Sequence, residues 1–417
     1  MDIAARRISA NALVTAASKR IALSEYAIPT LCSQRRTKRR NLTNSSLAKS
    51  RTKPPSQRQH NLPTPIAKRQ EYSSSSATSP PPRFSYGIAA SFTAKDIRFS
   101  ATKNVVHFEP HPIPAKRRTN RKDRPASGQD AFFVSQLGDS GDVAMGVADG
   151  VGGWADSGVD PADFSHGLCD YMAYEANNYD AESQGPLSAM ALMQEGYNDV
   201  VKDKSIRAGG STACVAIAKG DGTLDVANLG DSGFLQLRLN AVHYNSEPQT
   251  HAFNTPYQLA IIPRAMRMMT QAFGGTQLND MPKDSAVSKH SVRHGDVLVF
   301  ATDGVWDNLS SWDILRLVSR LMVGADAWTH SDDGIMVNEG LSDYIRKDIT
   351  EGTDQAQSLQ TFLAIGIASA AKAASINRRI DGPFAKEVQK HYPHEMWTGG
   401  KVDDICVVVA VVVENGK

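Results

Sequence analysis

Residues 209–239 read GGSTACVAIAKGDGTLDVANLGDSGFLQLRL, and three short apolar runs stand out in them, 213–218, 224–229 and 234–239. Gly220-Asp221-Gly222 and Gly230-Asp231-Ser232-Gly233 join the runs. Such brief connections permit only antiparallel neighbours, because a parallel pair needs a crossover of a dozen or more residues. The stretch therefore predicts an antiparallel meander.

The pattern extends in both directions. Upstream, residues 130–134 and 143–148 are apolar runs separated by Gly138-Asp139-Ser140-Gly141, a hairpin signal. Downstream, residues 296–302 and the nine-residue apolar run 405–413 read as buried strands. The latter is too short to cross a bilayer as a helix, and no membrane span is expected. Helices are predicted from Asp160-Pro161-Ala162-Asp163, which places Pro and acids in a first turn. Others are expected over 187–201, after Ser310 or Ser311, and over 359–376, where apolar residues recur at helical spacing. Residues 241–292 give no clear period, with an ordered loop expected at 251–257 and a helix or lid at 266–281. Strands and helices come in blocks rather than in βαβ alternation, and no internal repeat is present. The expected fold class is α+β: two packed antiparallel β-sheets forming a central sandwich, flanked by α-helices on both sides.

Charge divides the chain. Residues 1–94 hold 16 Lys and Arg against three acids, a local balance of +13; with +2 for the whole chain, the remainder carries −11. The basic part is rich in Ser, Thr, Gln and Pro and cannot bury enough apolar area to offset its ordering entropy, so it is expected to be disordered. Its first residues mix Ile3, Ile8, Leu13 and Ile21 with Arg6, Arg7, Lys19 and Arg20, as organelle transit peptides do. The competing reading, a nucleic-acid-binding or nuclear-import tail, rests on the basic run 35–40. The predicted organisation is a basic, disordered presequence and linker over 1–83 and one domain over 84–417. Cys32, Cys169, Cys214 and Cys406 form no C-x-x-C pair and suggest neither disulfides nor zinc.

Carboxylates carry the chemistry. Buried strands run into Asp149-Gly150 and Asp303-Gly304, while Asp403-Asp404 immediately precedes one. Asp231 sits in a tight turn and Asp130 follows Gln129. Asp-Gly is by itself an ordinary turn dipeptide. Acids at the ends of core strands are nevertheless costly unless paired or bound to a cation. If the ends converge, oxygen ligands without His or Cys favour Mg²⁺ or Mn²⁺ over zinc, and two such ions suit phosphate hydrolysis.

Asp149-Gly150-x-Gly152-Gly153, Gly210-Ser211-Thr212-Ala213, Asn228-Leu229-Gly230-Asp231-Ser232, Asp303-Gly304-Val305-Trp306-Asp307-Asn308 and Asp403-Asp404-Ile405 occur in this order. Together they resemble the metal-dependent type 2C serine/threonine phosphatases, over roughly residues 84–415. Gly150-Val151-Gly152-Gly153-Trp154, Asn228 to Phe234 and Phe253-Asn254-Thr255-Pro256-Tyr257-Gln258-Leu259 are similar to the mitochondrial branch of that family.

The resemblance implies roles. Asp149 would bridge two Mg²⁺ or Mn²⁺ ions, the Gly150 carbonyl would bind the second, and Asp303 and Asp403 would complete the site. Asp231 and Asp307 match acids that hold a weaker third ion. Asp130 would orient the attacking water. A metal-bridging hydroxide would attack phosphorus directly, with no phosphoenzyme. Gly210-Ser211-Thr212 reads as structural, its small residues allowing close packing. The implied partners are phosphoprotein substrates, among them mitochondrial enzymes including those of ubiquinone biosynthesis, and the implied location is the mitochondrion, in the matrix.

Several positions depart from the family pattern. Gln129 replaces a common glutamate, Gly233 a common arginine, and Val151 the histidine proposed as general acid, which leaves leaving-group protonation to water. Arg121, Lys122 and Arg124 are candidates for the basic phosphate clamp. Gln129 and Val151 also keep open a catalytically weak or dead module that docks phosphoproteins. A nucleic-acid-binding function is excluded for the domain, whose net negative charge would repel phosphate backbones.

Overall fold

The computed structural model describes residues 82–108, 121–272, 278–332, 334–346 and 358–417. The predicted presequence, Cys32 included, lies outside them but for its last two residues. The strands of the two main sheets are β1 (Phe84–Thr93), β2 (Val105–Phe108), β3 (Asp130–Gln136), β4 (Val143–Asp149), β5 (Ala213–Ala218), β6 (Thr223–Leu229), β7 (Gly233–Arg238), β8 (Ala241–Asn245), β9 (Ala286–Ser291), β10 (Val297–Ala301) and β11 (Ile405–Glu414). The first sheet has the order β2-β1-β11-β10-β7-β8 and the second β9-β6-β5-β4-β3. Every pairing in both is antiparallel, as the short connections require.

Alternation on the strands builds three apolar layers. Phe92, Phe132, Met145, Val147, Phe234, Phe300 and Val408 fill the space between the sheets, with Phe234 and Phe300 stacked at 4.8 Å. The outer face of the second sheet buries Phe133, Val215 and Leu229 against helices α1 (Pro161–Asn177) and α2 (Ala189–Lys202), which contribute Phe164, Leu168, Met172, Leu192 and Met193. The outer face of the first sheet packs Leu235, Val299 and Val407 against α3 (Ser311–Gly324) and α4 (Leu359–Ser375), through Ile314, Val318, Leu363 and Ile367. The result is the predicted α+β sandwich with helices on both faces.

Helix starts follow the expected chemistry. Asp160 caps α1, with Pro161 at the first position. Ser310 and Asp313 form a capping box on α3. Between β8 and β9 the chain forms a hairpin (Thr250–Ala252 with Thr255–Pro256), a strand (Leu259–Ile261) paired to Gly209–Ser211, and an exposed helix, Arg264–Ala272. Its last part ends in β9, which carries polar Ser288 and His290 on its half-buried face and an apolar Val287 on its exposed face, so no apolar–polar alternation is legible in the sequence. Among the described residues no helix is long and apolar enough to cross a membrane. Cys169, Cys214 and Cys406 are buried and form no disulfide among the described residues.

Candidate active site

The antiparallel register of β3 and β4 places Asp130 directly opposite Asp149. Asp149 ends β4, and its main chain is held on three sides. Its N–H donates to Thr212 Oγ1 (3.1 Å), while its carbonyl accepts from Thr212 N (2.9 Å) and from Ser211 Oγ (2.8 Å). Thr212 Oγ1 is in turn 2.7 Å from Ser232 Oγ, beside Asp231. Gly210-Ser211-Thr212 is thus the clamp of the acidic centre, as its structural reading predicts. Gly150 continues the turn where a Cβ would meet the carbonyls of Gln129 and Pro161 at 2.8 Å, so this position needs a bare backbone.

Two further segments bring their acids to the same end of the sheets. Thr302 Oγ1, just past β10, donates to Asp130 Oδ2 at 2.7 Å, tying the two sheets together beneath the site. Asp303 opens the short helix Asp303–Trp306 and Asp307 caps its end. Asp403 precedes β11. The adjacent Asp404 points elsewhere, its Oδ1 accepting from Lys95 N (2.7 Å) and its Oδ2 from Gln129 N (2.8 Å). Of the two neighbouring acids, one faces the centre and the other fastens the loop that precedes β3.

Electrostatics show how closely these carboxyls are grouped. Burial pushes Asp149 well above the usual carboxylate range, and Asp303, Asp130, Asp403 and Asp231 add to the effect. Asp130 is raised well above it too, by burial and then by Asp404. Burial followed by the Asp303 charge raises Asp307 and Asp403 and pushes Asp231 up to about 7. Asp130 Oδ1 and Asp231 Oδ1 are buried without a hydrogen-bond partner among the described residues. An all-oxygen donor set with orphaned oxygens and mutual repulsion fits a hard divalent cation.

One neutralising charge is already present, and the sequence reading assigned it no role. Lys401 Nζ lies 2.7 Å from Asp303 Oδ2, 2.6 Å from Asp307 Oδ2 and 3.1 Å from Asp403 Oδ2. Burial works against its charge, but the three carboxylates outweigh burial and raise the lysine pKa. Among the described residues no three His, Cys, Asp or Glu side chains converge closely enough to enclose an ion unaided; three converge on this ammonium instead. Asn308 is the second missed residue. Its amide donates to the carbonyls of Gly304 and Lys401 (both 2.9 Å) and accepts from Lys401 N (3.0 Å), joining the Asp303 segment to the Asp403 segment.

The sequence departures have structural counterparts. At Gly233 a Cβ would meet Ser246 Oγ at 2.9 Å and Trp306 Nε1 at 3.1 Å, so the Trp306 indole occupies the space a side chain there would need. Val151 donates its N–H to Gly210 O and has no side-chain proton to give. Arg121 and Arg124 are both paired with Asp163 in the first turn of α1, Arg124 at 2.7 Å, so these clamp candidates are engaged with protein carboxylates. The segment between β8 and β9 reaches the turn that follows β4, where Gln258 Oε1 accepts from Trp154 Nε1 at 3.1 Å. Phe253 packs against Phe384, Tyr392 and His391. A cavity of about 920 Å³ lined by Arg83, Arg293, His294 and Glu414 opens at the far end of β11, and none of the candidate acids lines it.

Known proteins resemble this chain in sequence and in fold. Residues 119–345 match the family model described as protein phosphatase 2C. The 5-azacytidine resistance protein azr1 of Schizosaccharomyces pombe is 33% identical over 78% of this chain and 93% of its own length. The protein phosphatase PTC7 homolog of Danio rerio is 32% identical over 69% of this chain and 82% of its own. The mitochondrial protein phosphatase 2C homolog 7 of Saccharomyces cerevisiae is 30% identical over 74% and 82%. Among solved structures, the photosystem II phosphatase PBCP aligns with 79% of this chain and 98% of its own at a TM-score of 0.50 and 22% identity, a likeness of fold.

Proposed function

The chain belongs to the protein phosphatase 2C family, a serine/threonine protein phosphatase family dependent on Mg²⁺ or Mn²⁺, and from that premise we propose that its acidic centre holds two such ions and hydrolyses phosphoserine and phosphothreonine in mitochondrial proteins. The observation that carries the proposal is the gathering of largely buried, mutually repelling carboxyls from five separate segments, two of them with an orphaned oxygen. Asp149, the Gly150 carbonyl, Asp303 and Asp403 would hold the two ions, and Asp231 and Asp307 would border a third cation position. Bound there, the ions supply a nucleophilic water at neutral pH and stabilise charge on the phosphoryl oxygens.

The chain's own groups do the rest. Ser211 and Thr212 fix the Asp149 main chain, and Thr302 fixes one oxygen of Asp130. The other oxygen of Asp130 is left to orient the attacking water. Phosphorus–oxygen cleavage then yields phosphate and the free hydroxyl, with water protonating the leaving oxygen because Val151 cannot. We read residues 1–83 as the presequence and linker and 84–417 as the phosphatase domain. Mitochondrial placement rests on the basic, acid-poor start and on the name of the yeast relative; the matrix, and enzymes of ubiquinone biosynthesis as substrates, are parts of the same proposal.

The test is phosphate release from a phosphothreonine peptide by the full chain with Mn²⁺, with EDTA, and with Asp149→Ala. Activity should need Mn²⁺ and fall at least about a hundredfold in the variant, the order expected when a transition-state-stabilising group is removed. Activity in EDTA would refute the proposal. Inactivity on every phosphopeptide with metal bound would leave a phosphoprotein-docking module, which Gln129 and Val151 would suit. An unprocessed amino terminus on the cellular protein would count against the presequence.

A further inference from the structure

The third cation position borders Asp307, and that is where Lys401 sits. Its ammonium has three donors, and three carboxylate oxygens stand 2.6 to 3.1 Å away on Asp303, Asp307 and Asp403. The placement is built by the surroundings. The main chain of Lys401 is gripped at both its N–H and its carbonyl by the Asn308 amide. Its Nζ lies 5.0 Å from the centre of the Phe384 ring, which covers it from outside. Phe384 N donates to the Asp307 carbonyl (3.0 Å), so ring, lysine and carboxylate form one connected unit. The lysine side chain is only 14% exposed. A divalent ion coordinated by Asp307 would have to displace an ammonium that has all its donors satisfied.

We infer that Lys401 is a resident cation that takes the place of a third divalent ion, so that this chain binds two metal ions where the Asp231 and Asp307 pattern alone would indicate three. The inference rests on the binuclear reading above and restricts it. Asp307 then acts as a positioning residue for Lys401, and through it for Asp303 and Asp403, without touching a metal. Metal dependence should accordingly show a single saturating phase.

The experiment is a count of bound Mn²⁺ on the full chain by electron paramagnetic resonance titration of free ion, with folding checked by circular dichroism. The wild type should bind about two ions, as a binuclear hydrolytic site does. Lys401→Met should gain one further, weaker ion, and Lys401→Arg, which keeps the charge, should not. Asp307→Asn should leave the wild-type count unchanged, a readout that does not depend on the folding of Lys401→Met. Three ions on the wild type, with one lost in Asp307→Asn, would overturn the inference and leave the binuclear proposal standing. No extra ion in a folded Lys401→Met protein would also overturn it. Failure of the wild type to bind any Mn²⁺ would remove the metal proposal and this inference together.

Discussion

Asp403 and Asp404 are neighbours in sequence with opposite roles, and exchanging each for asparagine should separate stability from metal binding. Asp404 accepts two partly buried main-chain hydrogen bonds, from Lys95 and from Gln129. In Asp404→Asn one of these acceptors becomes an N–H donor facing another N–H. The loss is about one charge-assisted hydrogen bond, on the order of 2–3 kcal/mol. For a domain of this size that corresponds to a fall in Tm of roughly 3–4 °C. Asp403, by contrast, is raised by burial and by the Asp303 charge. Its replacement relieves repulsion while giving up one contact with Lys401, for a net change within about 1 kcal/mol. The assay is thermal unfolding in EDTA, paired with Mn²⁺ titration at 25 °C. Asp404→Asn should melt early and still bind Mn²⁺, whereas Asp403→Asn should melt near the wild type and bind it poorly. Equal melting of the two variants, or intact Mn²⁺ binding by Asp403→Asn, would refute the division of labour.

Other outcomes follow from single contacts. Gly304→Ala should be the most damaging small substitution, because its Cβ would lie 1.9 Å from the Asp404 carbonyl oxygen; a loss of more than about 3 kcal/mol is expected in urea unfolding. Arg124→Ala should lower stability by about 1–2 kcal/mol, through its pairing with Asp163, and leave the KM for a phosphopeptide within about twofold; a tenfold rise in KM would return it to the phosphate clamp. His107 Nδ1 lies 2.7 Å from Thr361 Oγ1, linking β2 to α4, and burial lowers its pKa. The unfolded chain therefore binds a proton at this position before the folded chain does. Stability contributed here is complete above the ordinary histidine pKa of about 6.5 and is lost as pH falls below it; His107→Gln should flatten the acid limb of Tm against pH.

The sandwich was legible because many of its strands are nearly pure apolar runs, and those from 213 to 245 are joined by turns of two to four residues. The stretch 209–239 alone dictates antiparallel order, and the structure follows it. β9 was not legible, since an edge strand with polar Ser288 and His290 on its half-buried face and Val287 exposed lacks the alternation that half-buried strands carry. The site divided in the same way. Asp149, Asp303 and Asp403 stood out as candidates because a carboxylate abutting an apolar strand is anomalous. Lys401 was passed over because an isolated lysine is usually a solvated surface charge, and nothing in its neighbours says that three carboxylates from two segments will surround it. The separate duty of Asp404 was hidden for a related reason: its partners, Lys95 and Gln129, are main-chain donors, and main-chain donors have no spelling in a sequence.

The pairing of β1 with β11 along all ten residues, from Phe84 with Glu414 to Thr93 with Ile405, has a kinetic consequence. It joins the two ends of the domain, so the first sheet cannot close until nearly everything between them exists. Long-range closure of this kind makes folding slow. Until it happens, β10 and β1 each present an open edge where β11 belongs, and such edges invite pairing with other chains. The aspartate that precedes β11 arrives with it. A nascent or truncated chain therefore holds most of the acidic residues yet has no assembled centre, and enzymatic activity marks the moment at which the domain is completely made.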